Sequence, residues 1–227
     1  MIKLGTTNIR DVFNGTTDIL KVMYGTNLVW EKLIVIDLGT RKFDNYDITS
    51  YYSNYGSLTK DNFFVVNMNN ASGSSRVVVN GSTLWLRITG ELIKSYNAST
   101  GKLTCYNQCS GNISTGTGNV HVVLIPNPDK LVSLGSAQSF NVSNQQGYKN
   151  FTADNFLIKN VTKYTENHSR TYDGTWTASA TTKLYKNYNA SKGLLTCYYY
   201  EEGTSNANSD STDFKFQKMN AEVYLKQ

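Results

Sequence analysis

The sequence predicts an all-β protein: a small N-terminal β-meander, then two tandem duplicated antiparallel β-sandwich domains of the jelly-roll or immunoglobulin-like kind. Two repeats support this prediction. A Gly-Thr phrase returns every ten residues, at Gly5, Gly15 and Gly25. A longer phrase, rich in β-formers and built around a Gly turn, occurs at 96–106 and again at 188–198.

The first repeat defines an N-terminal module, residues 1–32. A ten-residue period suits one short strand and one tight turn, whereas each Gly in a helix would cost about 1 kcal/mol relative to Ala. We expect a three-stranded meander with turns at Asn14-Gly15 and Tyr24-Gly25. Roughly thirty residues bury too little apolar surface to fold alone, so the module should dock on a partner. The docking side chains are expected to be the apolar ones that recur in the repeat: Ile9, Val12, Ile19, Val22, Val29 and Trp30.

The second repeat divides the remaining chain into two copies, residues 33–127 and 128–227. Asp61 and Asp154 are 93 residues apart, and Cys105 and Cys197 are 92 apart, so the copies stay in register to within one residue. The boundary falls at 126–129, which contains both prolines and reads as a linker turn.

Each copy contains short runs of β-branched and aromatic residues separated by Gly, Asn and Ser, a pattern typical of an antiparallel sandwich. Asn80-Gly81 and the Ser99–Gly101 phrase predict tight turns. We find no sustained helical periodicity, and only a single helical turn is predicted, near 48–52 or 152–156. The predicted strands of the first copy are 63–66, 76–79, 84–88, 102–106 and 120–125; those of the second include 175–180, 194–199, 213–217 and 221–225.

Composition excludes several classes of function. The chain has 227 residues and a net charge of +5, but its Lys and Arg are scattered, so no nucleic-acid surface is expected. No apolar run is long enough to span a membrane, and no secretory signal precedes residue 5. We therefore expect neither nucleic-acid nor membrane partners.

The three cysteines are expected to pack in the core. Cys105 and Cys197 hold equivalent positions in a predicted strand, where a small buried hydrophobe fits. A disulfide between Cys105 and Cys109 stays open, although an odd count without a secretion signal argues against a disulfide framework. The two histidines, His121 and His168, are not equivalent, so neither a metal site nor a cofactor site is predicted.

The sequence does not predict an enzyme. Two unmatched histidines offer no nucleophile–base pair. Asp61 and Asp154 could form an acid–base pair, but each comes directly before an apolar strand, where capping a turn is the simpler explanation. No catalytic residue is therefore assigned.

Aromatic side chains suggest a contact surface. Tyr is enriched at interfaces, and the run 198–200 places rings on both faces of a strand. The alternative is that these rings cover the ends of a small core, and the sequence does not decide between the two. The candidates for surface or glycan contact are Tyr51, Tyr52, Trp85, Trp176, Tyr199 and Tyr200.

The repeated phrase Gly-Thr-x-x-Ile-x-x-Val, ending in Leu28-Val29-Trp30, resembles the N-terminal module of many tailed-phage virion proteins, among them head-fibre and tail-fibre proteins of gut and crAss-like phages. The resemblance covers residues 4–31. It implies a non-enzymatic virion component that its N-terminal module attaches to capsid, portal, collar or tail proteins. It transfers no catalytic residue, and the absence of a long shaft favours a short fibre or decoration protein.

We therefore expect a homo-oligomeric phage virion structural protein, assembled in the bacterial host cytoplasm. The alternative is a glycan- or host-receptor-binding module, either on a phage or as a bacterial surface lectin. A glycan depolymerase is a third and weaker possibility, because no carboxylate cluster is apparent.

Overall fold

The computed structural model describes residues 3–4, 7–8, 12–14, 17–24, 26–207 and 210–227. The structure also describes the side chains of these residues, except those in the ranges 1–18, 28–30, 77, 79–86, 166–173 and 206–216. The N-terminal module contains three hairpins, each forming its own two-stranded antiparallel sheet. Their strands are β1 (Lys3–Leu4) with β2 (Thr7–Asn8), β3 (Val12–Asn14) with β4 (Thr17–Ile19), and β5 (Lys21–Tyr24) with β6 (Asn27–Glu31).

The ten-residue period is thus one hairpin, not one strand of a meander. The glycines at which turns were predicted, Gly15 and Gly25, lie outside the described residues, and so does Gly5. In sequence, each Gly-Thr pair stands between the two strands of one hairpin. The expected three-stranded sheet is therefore replaced by three successive small ones.

The rest of the chain forms two antiparallel sheets with a core between them. The strands are β7 (Ile36–Arg41), β8 (Phe43–Asp47), β9 (Phe63–Met68), β10 (Ala71–Asn97), β11 (Lys102–Gly111), β12 (Gly116–Gly118), β13 (Val120–Leu124), β14 (Val132–Ala137), β15 (Ser139–Asn141), β16 (Phe156–Val161), β17 (Tyr164–Asn189), β18 (Leu194–Ala207) and β19 (Asp210–Leu225). Sheet A has the order β12-β11-β10-β17-β18-β19, with β8 added to β11 and β15 added to β18. Sheet B has the order β14-β19-β16-β9-β13-β7, and β19 joins the two sheets.

Both sheets run across the predicted copy boundary. In sheet B, Val65 of β9 pairs with Ile158 of β16, its equivalent 93 residues later. In sheet A, the equivalent strands β10 and β17 pair along a ladder that runs from Ala71 opposite Thr182 to Gly90 opposite Tyr164. Two separate sandwiches were expected. Instead, strand pairing joins the two halves, because it gives hydrogen-bond partners to edge strands that two separate sandwiches would leave unpaired.

The ribbon formed by β10 and β17 folds back on itself. Asn112 N donates to Arg87 O at 3.1 Å, and Ser114 N donates to Ser74 O at 2.8 Å. Two residues of chain span at most about 7 Å, whereas a straight strand from Ser74 to Arg87 would cover about 43 Å. The ribbon must therefore reverse between these two residues.

The reversal coincides with the predicted turn at Asn80-Gly81. No hairpin forms there; β10 continues, with a register shift between Val79 and Ser82 in its ladder with β17. A bulge of this kind increases local twist and bend. The sequence signal thus marks a fold-back of a two-stranded ribbon, which local turn chemistry alone does not distinguish from a hairpin.

Short 3-10 turns hold the connections: Tyr55–Ser57, Lys60–Asn62, Pro128–Lys130, Tyr148–Asn150 and Ala153–Asn155. Two are equivalent capping boxes, in which Thr59 N donates to Asn62 Oδ1 at 2.8 Å and Thr152 N donates to Asn155 Oδ1 at 2.9 Å. The helical turn predicted near 152–156 is confirmed. The capping side chains are Thr and Asn, however, and not the aspartates that lie between them.

Apolar side chains cover both faces of sheet B. The main core lies between the sheets, and its largest fully buried members include Phe43, Phe63, Phe156 and Leu103. On the opposite face of sheet B, Phe64 and Leu157 pack with side chains of the connecting segments at 33 and 131. The segment that follows the N-terminal module therefore contributes to the packing of sheet B.

Candidate functional site

The third hairpin of the N-terminal module presents apolar side chains to solvent. Leu20 is 50% exposed, Met23 51% and Tyr24 81%. At the open end of the hairpin, Lys21 Nζ lies 2.9 Å from the Glu31 carboxylate. The hydrogen bond from Lys21 is the main cause of the lowered pKa of Glu31.

Polar contacts connect this hairpin to the linker between the two copies. Lys32 N donates to Leu20 O at 2.8 Å, and Asn127 Nδ2 donates to Lys32 O at 3.3 Å. Lys130 Nζ lies 3.9 Å from Glu31. The described contacts between the hairpin and the linker thus lie at residues 31–32.

The residues predicted to dock have different placements. Ile19 and Val22 are half-buried. The backbone of Val12 pairs with that of Ile19, and the backbone of Val22 pairs with that of Trp30. Ile9 lies outside the described residues, and the side chains of Val12, Val29 and Trp30 lie outside the described side chains. The sequence analysis did not single out Leu20, Met23 and Tyr24.

Two of the predicted surface aromatics are wrong. Tyr199 is 0% exposed and Trp176 is 5% exposed, so neither ring is available to a glycan. Residues alternate between the faces of a strand, and Cys197, two residues before Tyr199, points into the core. The equivalence of Cys197 and Cys105 was therefore a usable signal that Tyr199 faces inward. Trp85 lies outside the described side chains.

Tyr51 and Tyr52 lie near the start of the first copy. Tyr51 is 38% exposed and joins a cluster in which the Arg41 guanidinium lies 4.1 Å from the Tyr46 ring centre and donates to both tyrosine hydroxyls. Burial raises the pKa of Tyr46 to about 12, and its hydrogen bond lowers the pKa of Tyr51. Tyr52 is half-buried against the main core. The cluster ties Arg41, at the end of β7, to Tyr46 of β8 and to Tyr51.

Tyr200 faces solvent as part of a tyrosine strip: Tyr185 on β17, with Tyr198 and Tyr200 on β18. Tyr185 and Tyr198 stack with their ring centres 5.0 Å apart and 18° between planes, and Tyr200 meets Tyr198 edge-on at 5.7 Å. Lys218 Nζ lies 4.9 Å from the Tyr198 ring centre. Tyr185 is 40% exposed, and the sequence prediction missed it because it lies outside the tyrosine run at 198–200.

Two half-buried lysines at equivalent positions connect the copies between the two sheets. Lys94 Nζ donates to Phe63 O at 3.1 Å and to Lys159 O at 2.6 Å. Lys186 Nζ donates to Phe156 O at 3.2 Å and also to Val66 O. Burial lowers the pKa of both lysines. The carbonyls at 66 and 159 belong to equivalent bulges of β9 and β16, so each lysine bonds to the opposite copy.

A second buried contact joins the copies asymmetrically. Tyr199 Oη donates to Asn107 Oδ1 at 2.7 Å, and these residues are equivalent across the duplication. Asn107 Nδ2 donates to Asn69 O at 2.9 Å and to Thr182 O at 3.2 Å. The Tyr199 ring fits because Gly90 lies beside it: a Cβ at residue 90 would lie 3.0 Å from Tyr199 Cε1. Large and small side chains thus complement each other at this point.

The cysteines are free and buried, as the core prediction for Cys105 and Cys197 requires. Burial raises the pKa of Cys105, Cys109 and Cys197 to about 12, so they are protonated near neutral pH and poor nucleophiles.

His121 contacts an aspartate at the surface. Its Nε2 lies 2.8 Å from Asp37 Oδ1, which also accepts from Gly39 N at 2.8 Å. Partial burial opposes ionisation of Asp37, but the Gly39 and His121 hydrogen bonds outweigh it and lower the pKa. The side chain of His168 lies outside the described ones.

Within the described part of the chain, no group of three or more His, Cys, Asp and Glu side chains is arranged to hold a metal ion. None of the helices in that part is long and apolar enough to cross a membrane. No protein-family model, curated protein or solved structure matches the chain.

Proposed function

We propose that this chain is a non-enzymatic structural protein of a bacteriophage virion, a short head- or tail-associated fibre or decoration protein attached to the particle by its N-terminal module. The exposed apolar side chains of the third hairpin carry this proposal. Leu20, Met23 and Tyr24 are exposed on a hairpin whose described contacts with the linker are the hydrogen bond from Asn127 to Lys32 and the ion pair of Lys130 with Glu31. Exposed apolar side chains within one short segment are suited to contact with another protein.

In this proposal the two halves are copies of one β-sandwich unit that pair into a single body. Equivalent residues of the two halves make equivalent contacts, which supports the duplication. The clearest example is the pair of hydrogen-bonded bridges made by Lys94 and Lys186. The paired body would be presented to solvent, in a homo-oligomer or singly. The partner of the module would be a capsid, portal, collar or tail protein, and assembly would take place in the host cytoplasm.

The test is the occupancy of purified particles. Particles from the producing host are isolated on a density gradient, and copies of the protein per particle are counted by quantitative mass spectrometry. The wild-type chain should sediment with the particles at a fixed ratio. The double variant Met23→Ser/Tyr24→Ser should be depleted from them, because it removes apolar contact area from side chains whose loss costs the fold little.

Val78→Ser is the matched control, since Val78 is 73% exposed and belongs to β10, which is not part of the module. Its occupancy should equal that of the wild type. Absence of the wild-type chain from particles would refute the virion role. Normal occupancy of the double variant would refute attachment through this hairpin.

A further inference from the structure

The tyrosine strip continues along the same face of sheet A into a row of hydroxyls. Opposite residues on β17 and β18 share a face, and the pairs run from Tyr185–Tyr198 through Lys183–Tyr200 to Ser179–Thr204. Ser179 and Thr204 are hydrogen-bonded at 3.1 Å. Eight residue steps of β17, from 185 to 177, give this face a length of about 26 Å.

The far end of the row is a shallow depression of about 290 Å³. Its polar lining is Ser74, Ser75, Arg76, Thr177, Ser179 and Thr204. The outer face therefore changes from aromatic rings at one end to hydroxyls and a guanidinium at the other. Such convergent polar groups beside an apolar surface are typical of ligand-binding sites.

The duplicated fold does not require this strip. The first-copy equivalents of Tyr185 and Tyr200 are Ile93 and Gln108, 92 residues earlier. The equivalent of Tyr198 is Tyr106, which has no tyrosine neighbour at these positions and has Lys42 Nζ 5.1 Å from its ring centre. The same sheet is thus built in the first copy without stacked rings, so packing alone does not explain them.

The charges on this face further restrict the kind of ligand that could bind there. Arg76, Lys183 and Lys218 lie on this face with Glu202, which pairs with Lys183. Among these described side chains, three are positively charged and one is negatively charged. The occupant should therefore carry negative charge, along with flat apolar patches for the rings and many groups that exchange hydrogen bonds with hydroxyls.

We propose that the outer face of β17 and β18 binds an acidic oligosaccharide. The axial C–H bonds of a sugar ring carry partial positive charge and stack on the negative face of an aromatic ring, here the Tyr185–Tyr198 pair. Sugar hydroxyls exchange hydrogen bonds with Ser179 and Thr204, and carboxylates of the oligosaccharide meet Arg76. The site is separate from the N-terminal module and goes beyond the structural role.

The test uses the full-length protein on an array of bacterial and plant oligosaccharides that includes uronic-acid-containing and neutral chains. Binding should be found among the acidic chains, and the best one is then titrated by calorimetry. Tyr185→Ala should weaken that binding about tenfold, the loss expected for about one aromatic contact. Tyr106→Ala, at the position equivalent to Tyr198, should leave the affinity unchanged.

Three results would overturn the proposal: no binding to any chain on the array, equal loss in Tyr185→Ala and Tyr106→Ala, or preference for neutral chains. A fourth result that would overturn it concerns the oligomeric state, which is measured by light scattering. If Tyr185→Ala changes the oligomeric state of the unliganded protein, the strip is an interface between copies of the chain, and the sugar site is refuted. Circular dichroism of both variants excludes loss of fold as the cause.

Discussion

The cross-copy contact between Tyr199 and Asn107 can be measured as a coupling free energy. Tyr199→Phe removes the hydroxyl that donates to Asn107 Oδ1 at 2.7 Å and leaves that buried oxygen with only Thr182 Oγ1, at 3.4 Å. We expect a loss of about 1–2 kcal/mol in the free energy of unfolding. Asn107→Ala also removes two backbone contacts, so its loss should be about 2–4 kcal/mol.

A double-mutant cycle separates the free energy of the Tyr199–Asn107 interaction from the total losses in stability of the two single variants. Urea unfolding of the wild type, both single variants and the double variant should give a coupling of about 1 kcal/mol between residues 107 and 199. The control cycle pairs Asn107→Ala with Tyr188→Phe, whose hydroxyl donates to Tyr148 O inside the second copy. Its coupling should be close to zero. A coupling between 107 and 199 no larger than the control would refute the shared core.

Three further predictions concern the fold. Because the copies share both sheets, unfolding followed by circular dichroism and by tyrosine fluorescence should give one coincident transition; two separate transitions would indicate independent sandwiches. Gly193→Ala should cost about 1–3 kcal/mol, because residue 193 has φ +61° and a Cβ would lie 2.7 Å from Ser143 Cα, whereas Gly135→Ala, at φ +83° in open space, should cost less; equal losses would mean that φ alone matters. Above about pH 9 the thiols of Cys105 and Cys197 should ionise only in the unfolded chain. The free energy of unfolding should therefore fall by about 1.4 kcal/mol per pH unit for each thiol, until the pH reaches the folded pKa of about 12. The buried lysines oppose this fall only up to the unfolded pKa of 10.5, so the loss should steepen beyond it, and a double Cys→Ala variant with an unchanged pH profile would contradict the assignment.

Local patterns predict most of the strands and turns. The strand predicted at 63–66 lies within β9, and that at 102–106 lies within β11. The turn between β10 and β11 falls where Gly101 supplies φ +66°. These features depend on alternation and turn chemistry within a few residues.

Pairing between distant strands was not predictable in the same way. The β10–β17 ladder joins residues that can lie more than a hundred positions apart, such as Ala71 and Thr182, and no local pattern encodes that register. Lys94 was missed for a related reason. A lysine in a strand normally marks the solvent face, and only the carbonyls of the opposite sheet make its burial favourable. Its recurrence as Lys186 was the one available signal.

The two kinds of cross-copy contact have different symmetry requirements. Lys94 and Lys186 make the same bonds at equivalent carbonyls, so two identical copies related by a two-fold axis could form both bridges. Tyr199 and Asn107 are equivalent to each other, so identical copies would bring two tyrosines together or leave two asparagines with a void. An overpacked or under-filled core costs about 1–3 kcal/mol or more. This contact therefore requires two copies with different residues at that position, which a chain that contains both copies supplies.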